Sequence, residues 1–532
     1  MRRPMPLPRF TQRFLDLLPG DRRTEAFPRQ VHGALWSRVD PTPVAAPRLL
    51  AWSRPLAREL GLDEATMQDP TTAAVLAGNA LWPGMAPYAA NYGGHQFGNW
   101  AGQLGDGRAI VLGELQRDDG ARYELQLKGA GPTAYSRSGD GRAVLRSSIR
   151  EFVCSEAMFH LGVPTTRALS LCASGDDVVR DMFYDGNPQR EPGAIVCRVA
   201  PSFLRFGNFE LPSSRGDVEL LRKLAEFTLE QFFPQHLSAN GGPTKAAFAA
   251  WFRDVAERTA RLIAHWQSVG FVHGVMNTDN LSILGLTIDY GPYGWLDDFD
   301  LRWTPNTTDA GQRRYCYGNQ PGIGLWNLEC LGIALLPLFD GDEQVVHEVL
   351  DLYREVYATA AGGRFAAKLG LSFRDDLGDG TLLQELFQWL GGAETDMTLF
   401  FRALSGVVVL PEAPAEFPQA LHAASYAPMA PERAAAGLSW LQRWWRRTRQ
   451  EPQAPAEIAA RMDAVNPWLV PRNWIAQEVI DAAHAGDLAP LQRLLTAIEQ
   501  PFTAQPEVAH WAQKRPEWAR SKPGCSALSC SS

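Results

Sequence analysis

His273-Gly274-Val275-Met276-Asn277-Thr278-Asp279-Asn280, followed by Asp289-Tyr290-Gly291, is the stretch on which the reading of this chain turns. It sets a histidine, a carboxylate and an amide close together, then a second carboxylate nine positions after Asn280. An amide oxygen and a carboxylate in that order suit a hard divalent cation such as Mg²⁺, which prefers oxygen ligands. Asn280 and Asp289 are the expected metal ligands. The competing reading is two polar loops around a hairpin; it explains the residue types but not their order and spacing.

Protein kinases use H-R-D-x-x-x-x-N followed by D-F-G for the same task. His273 and Asn280 keep that spacing, and Asp289-Tyr290-Gly291 stands in the place of D-F-G. Val275 occupies the position of the kinase aspartate. Valine neither accepts a proton nor orients a hydroxyl, so ordinary phosphotransfer is in doubt. Asp279, beside Asn280, is the nearest carboxylate able to act as base.

Upstream, the elements that bind a triphosphate follow in a sensible order: loops of backbone N–H groups, then cations. Tyr92-Gly93-Gly94-His95-Gln96-Phe97-Gly98, continuing to Gly105-Asp106-Gly107-Arg108, is a candidate phosphate loop or an ordinary glycine-rich turn. Lys128 ends an alternating strand, 123–128, and Glu151 lies on the helix expected over 143–161. Such a lysine–glutamate pair contacts phosphates in kinases. Glu156 is the rival partner, but at ~100° per residue it faces away from Glu151. Asp140 and Gly141 precede the helix, where an anion is favoured, although Asp140 could instead cap it. Arg198 and Arg205, with Arg108, form a cationic set suited to phosphate oxygens or to surface ion pairs.

The texture of the chain frames these motifs. Residues 1–90 are proline-rich, with short helices expected at 11–18 and 55–61. Strands are expected at 109–115, 123–128, 167–172 and 194–200. Beyond about 215 the pattern is helical, with helices at 218–233, 245–269, 325–338, 342–360, 379–390, 395–405, 432–449, 456–464, 474–485 and 488–498, and a loop-rich block over 271–300. The expected fold class is α+β, kinase-like and bilobal. Its parts are an irregular, partly helical extension (1–90), a small sheet-containing lobe (91–215), a large helical lobe (216–420), and a helical extension with a cysteine-bearing tail (421–532).

Composition narrows the function. The 532-residue chain carries a net charge of -8, which argues against a dedicated nucleic-acid binder. Arg443, Arg446, Arg447 and Arg449, with Trp444 and Trp445, read as a solvated basic helix face. No apolar run approaches the ~20 residues of a membrane span. The longest candidate is Leu331 to Phe339, and no membrane partner is expected. The N-terminus lacks the apolar core of a signal peptide. Seven cysteines without a CxxC pair speak against a zinc site and for a reducing, cytoplasmic setting. Cys525 and Cys530 lie in a small-residue tail read as mobile and reachable.

These motifs together resemble the selenoprotein O family over nearly the whole chain. The likeness rests on Tyr92–Gly98, Leu104–Arg108, Leu127-Lys128-Gly129-Ala130-Gly131, Gly274–Asn280 with Asp289-Tyr290-Gly291-Pro292, and the late Asn466-Pro467 and Pro471-Arg472-Asn473. The resemblance implies a pseudokinase that holds ATP in a flipped orientation and passes AMP to Ser, Thr or Tyr hydroxyls of proteins, releasing pyrophosphate. By motif, it implies nucleotide contacts at Gly105, Gly107, Arg108, Lys128, Asp140, Gly141, Arg198, Arg205 and Asp289. Asn280 and Asp289 would hold Mg²⁺ or Mn²⁺, Asp279 would accept the proton, and Glu151 would make the structural ion pair. Cys530 stands where some members carry selenocysteine; it would be a redox thiol able to pair with another cysteine such as Cys316, or an unpaired tail thiol. A uridylyltransferase using UTP with Mn²⁺, a genuine ATP-dependent kinase and a non-catalytic nucleotide-binding scaffold are the alternatives.

Overall fold

The structure, a computed structural model, describes residues 8–237 and 242–529. The apolar run Ala109–Gln116 and the alternating run Arg122–Lys128 pair antiparallel, from Ala109 opposite Lys128 to Gln116 opposite Arg122, with a register shift between Val111 and Gly113. The turn signal Asp118-Asp119-Gly120 joins them, with Gly120 in the left-handed region at φ +86°.

This hairpin is the middle of a nine-stranded sheet. Its spatial order is Gly20–Asp21, Trp36–Arg38, Tyr88–Ala90, Ala109–Gln116, Arg122–Lys128, Gln189–Ala200, Arg167–Arg180 and Arg48–Trp52; Arg9–Thr11 also pairs with Ala109–Gln116. Residues before 91, expected to be irregular and partly helical, supply five of the nine strands. Those strands are only two to five residues long, too short for alternation to show in the sequence.

Leu145–His160 packs on the sheet through Ile149, Phe152 and Val153, which are fully buried. Its other neighbours are Asn473–His484 and Ala489–Ile498, from the far end of the chain. The later half is helical, as the spacing predicts. Lys245–Val269 starts on the Thr244 side-chain cap and stops at Gly270, whose φ of +72° a side chain would resist. The helix Phe206–Ser214 has no counterpart in the sequence reading. Every residue from Phe206 to Pro212 is buried, so no polar face marks its period.

Three expectations need correction. The helical run Tyr317–Phe339 is 23 residues long and apolar enough, by length and composition, to cross a membrane. It is a core element here: Asn327 donates to Met276 O at 3.0 Å, and Gln320 donates to Phe271 O while accepting from His273 N. The basic helix Pro431–Thr448 is not simply a solvated face. Helical spacing puts Trp440, Trp444 and Arg447 on one buried side, where Arg447 grips Asp379 at 2.8 and 3.0 Å. Arg449 donates to the carbonyls of Val408 and Leu410. Cys525 is not reachable: it is buried, and its carbonyl accepts from Asn473 Nδ2 at 3.0 Å. Cys530 lies outside the described residues. The chain just before it, at Leu528, bridges Asn306 and accepts from Thr307 N at 2.7 Å. Cys316 is buried.

Asp396 ties several parts of the helical half together. It is fully buried, takes a forked ion pair from Arg472 at 2.7 and 2.8 Å, and caps Met397–Val408 by accepting from Leu399 N. Asp396→Ala strands the Arg472 guanidinium, so unfolding free energy is expected to fall by about 3–5 kcal/mol. A denaturant melt compared with the parent checks this.

Candidate active site

The catalytic-loop motif is anchored by its histidine. His273 is buried, and burial drives its pKa down to about 4, so the ring is neutral. Its Nε2–H donates to Ile288 O at 2.9 Å while Nδ1 accepts from Val275 N. One side chain thereby ties the 273–280 loop to the residue before Asp289. Asp289 itself holds φ +61°, a left-handed conformation that aspartate tolerates better than most residues.

Between the sheet and the helical half lies a cleft of about 770 Å³. Gly105, Gly107, Arg108, Lys128, Asp140, Gly141, Arg198, Arg205, Asp279, Asn280 and Asp289 all line it. Residues up to 184 positions apart in sequence, from Gly105 to Asp289, therefore meet in one cavity.

The cations form a connected network rather than separate surface pairs. Lys128 Nζ meets Glu151 Oε2 at 2.7 Å, and Glu151 Oε1 meets Arg198 Nη1 at 3.2 Å. Arg198 Nη1 also donates to Asp289 Oδ1 at 2.5 Å, and Arg205 pairs with the other Asp289 oxygen. Arg205 Nη1 further donates to the Asp279 carbonyl at 2.9 Å. Burial, with Arg108 and Arg198 acting the same way, lowers Lys128 to about 7 against the pull of Glu151. Burial alone would raise Glu151, but Lys128 and Arg198 outweigh it and hold that carboxyl low. Glu156, the rival partner, is committed elsewhere: Arg167 forks onto it at 2.7 Å and Ser53 Oγ donates to it at 2.6 Å.

Asp140 does not cap the helix. The N-cap is Val144, while the Asp140 carboxylate accepts from Arg142 N and from both terminal nitrogens of Arg180 at 2.6 and 2.8 Å. Gly141 needs its missing side chain: at φ +69° a Cβ would lie 2.1 Å from the Gly131 carbonyl.

The glycine-rich loop 92–98 also departs from expectation. Three of its amides are spent on partners within the protein, one of them in the 273–280 loop. Gly93 N donates to Gly207 O, His95 N to Thr278 Oγ1 at 2.7 Å, and Phe97 N to the Tyr315 hydroxyl at 2.9 Å. Gly105, Gly107 and Arg108 line the cleft, but amides there are partly spent as well: Asp106 N donates to Ala90 O and Gly107 N to Gly105 O, both at 2.9 Å. Sequence reasoning missed Gln96, whose Nε2 donates to Asp279 Oδ2 at 3.2 Å, and Arg180, which also lines the cleft. Gln96 lies inside a motif already singled out, but its partner is 183 positions away.

Asp279 is the carboxylate at the cleft left with an unmatched oxygen. It is buried, and Oδ1 has no hydrogen-bond partner among the described residues. Burial raises its pKa to about 6; Glu210 adds to this, while Gln96 and Arg205 oppose it. Gly94 is packed against it, with a Cβ at that position falling 2.6 Å from Oδ1. Gly94→Ala is therefore expected to push the carboxylate aside and cut turnover at least about tenfold while leaving nucleotide affinity within about twofold, since a displacement near 1 Å costs rate more than binding. Parallel rate and titration measurements check the split.

The donor set suits a hard divalent ion. Asn280 Nδ2 donates to Val275 O at 2.9 Å, which leaves Oδ1 as its ligand atom, and the Asp289 carboxylate faces the same cleft. Both offer oxygen only. A cation there would share Asp289 with Arg198 and Arg205.

The chain is 57% identical over 523 residues to the protein nucleotidyltransferase YdiU of Azoarcus sp. (strain BH72), covering 98% of this chain and 99% of that one. It is 58% identical over 528 residues to the YdiU of Aromatoleum aromaticum, covering 98% of each, and 56% identical over 529 residues to that of Xanthomonas axonopodis pv. citri, covering 98% and 99%. In class, the chain is a nucleotidyltransferase. Residues 26–499 match the family model described as protein adenylyltransferase SelO, and the chain belongs to that family.

Proposed function

We propose that this chain is a protein adenylyltransferase on a kinase-like bilobal fold, moving AMP from ATP to Ser, Thr or Tyr hydroxyls of other proteins. The observation that carries this reading is the exchange of roles between Val275 and Asp279. The position of a kinase base is aliphatic, and the carboxylate four residues on is buried beside the ligand pair with one oxygen unpartnered. The kinase-like reading draws on the strand lysine paired to a helix glutamate, Lys128 with Glu151, and on the 273–291 motifs.

In this scheme the substrate hydroxyl oxygen attacks the α-phosphorus and its proton passes to an Asp279 carboxylate oxygen. The bond from the α-phosphorus to the bridging oxygen breaks, and pyrophosphate leaves with that electron pair. Arg108, Lys128, Arg198 and Arg205 bind and orient the triphosphate, with Gly105, Gly107 and Gly141 allowing close backbone approach. Mg²⁺ or Mn²⁺, held by Asn280 and Asp289, would neutralise phosphate charge at the reacting centre. We place the protein in the reducing cytoplasm, a setting favoured by six described cysteines that are all unpaired.

The test is incubation with a protein acceptor and either α-labelled or γ-labelled ATP, followed by mass spectrometry of the acceptor. Label from the α position only, with an added AMP mass, is the expected result. Transfer of the γ label would mean a kinase instead. Parallel incubation with α-labelled UTP and Mn²⁺ decides the base and metal preference.

A further inference from the structure

We propose that His95, Glu210 and Cys330 form a binding site for one thiophilic divalent cation of the zinc class, seated behind the loop that holds Asp279. This site is separate from the oxygen pair Asn280 and Asp289 and would hold its ion whichever nucleotide is transferred.

Three elements distant in sequence deliver the ligands. His95 comes from the 92–98 loop, Glu210 from Phe206–Ser214 and Cys330 from Gln320–Leu335. One ligand atom from each lies within 4.8 Å of the other two. Around a tetrahedral Zn²⁺, with bonds of about 2.0–2.3 Å, ligand atoms stand roughly 3.3–3.8 Å apart, so closure needs movements of about 1 Å. Imidazole, carboxylate and thiolate together select zinc-like ions over Mg²⁺, which takes oxygen almost alone.

The second observation concerns Glu210. Its side chain is only 3% exposed; Oε1 meets His95 Nδ1 at 2.6 Å, while Oε2 has no hydrogen-bond partner among the described residues. A buried carboxylate oxygen left unpartnered is costly, and a cation relieves that cost directly. The histidine–glutamate pair alone explains one oxygen and leaves the other, with a thiol beside it. Burial pushes the Cys330 thiol up to about 12 and Glu210 and Glu329 add to this against Arg314, so the thiolate forms only with a cation to balance it. On binding, the Cys330 Sγ–H proton would pass to solvent and the thiolate would ligate. An entry path exists, because the His95 side chain is 27% exposed and Trp100 beside it is exposed.

The position gives the ion a structural role. His95 N donates to Thr278 Oγ1, and the next residue, Gln96, donates to Asp279. A cation at His95 would pin the 92–98 loop to two helices and so fix the base from behind.

The experiment uses the full-length protein, stripped with chelator and titrated with Zn²⁺, then with Co²⁺ as a spectroscopic probe. The expected results are one equivalent bound, a thiolate-to-cobalt absorption band, and a rise in melting temperature on Zn²⁺ addition. Cys330→Ser should abolish the band and weaken Zn²⁺ binding at least tenfold, whereas Asp289→Asn should keep both. His95→Gln, at a partly exposed position, serves as the second variant should Cys330→Ser fold poorly. The proposal is overturned if the parent shows no cobalt–thiolate band, or if either folded variant binds Zn²⁺ as the parent does.

Discussion

Asp279→Asn is expected to abolish nucleotide transfer while leaving ATP binding within about twofold of the parent. Asparagine keeps the shape and the contact with Gln96, but it cannot take the proton of an attacking hydroxyl. Loss of a general base costs about 10²–10⁴ in rate, enough to put transfer near background. Incorporation of α-label, measured beside an independent ATP titration, reads the two effects separately. Persistent transfer would remove Asp279 from the mechanism. The same carboxyl sets the acid side of the pH profile. With its pKa raised to about 6 by burial, the working ionised form disappears as pH falls through 6, and the rate should fall with it. The stability sign runs the other way. A carboxyl raised above its unfolded value of 3.8 stabilises the fold fully below that value, and the contribution is lost as pH rises through about 6. At pH 7.5 the asparagine variant should therefore melt no lower than the parent, so a dead enzyme would not be an unfolded one.

Arg198→Met should have the second large effect, of a different kind. Arg198 is 2% exposed and holds Glu151, Asp289 and Gln126 at once. Without it Glu151 keeps only Lys128 and Asp289 only Arg205, and the expected loss is about 3–5 kcal/mol of folding free energy. Triphosphate cannot repair this, because it brings further negative charge. ATP affinity should drop at least about tenfold, in line with the loss of a charged hydrogen bond. In the parent, saturating ATP should raise the melting temperature; in the variant that rise should vanish. A variant that melts low but still responds fully to ATP would show Arg198 to be structural only.

Much of the site was legible because its chemistry is written locally. The distance from His273 to Asn280 and on to Asp289 is a property of one short segment. So is the alternation that makes 122–128 a strand ending on Lys128, and the spacing that makes 145–160 a helix presenting Glu151. What escaped the sequence depends on partners far along the chain. The amides of 92–98 looked suited to phosphate and instead bind Thr278, Gly207 and Tyr315. Asp140, read as a nucleotide contact that could also cap the helix, is held by Arg180 instead of capping. Arg447 looked solvated and is buried on Asp379. In each case the residue type is right for several partners, and its own neighbours do not choose among them.

The sequence by itself determined the class of chemistry: the order of ligands, the missing kinase aspartate at Val275, and the secondary structure wherever a period ran long enough to be read. Tertiary structure alone decided which polar groups were left unmatched once the chain was packed. Asp279 Oδ1 and Glu210 Oε2 became exceptional only through burial without a partner. Burial is set by contacts between segments more than 100 positions apart, and a pairwise contact of that kind leaves no periodic trace in a single chain.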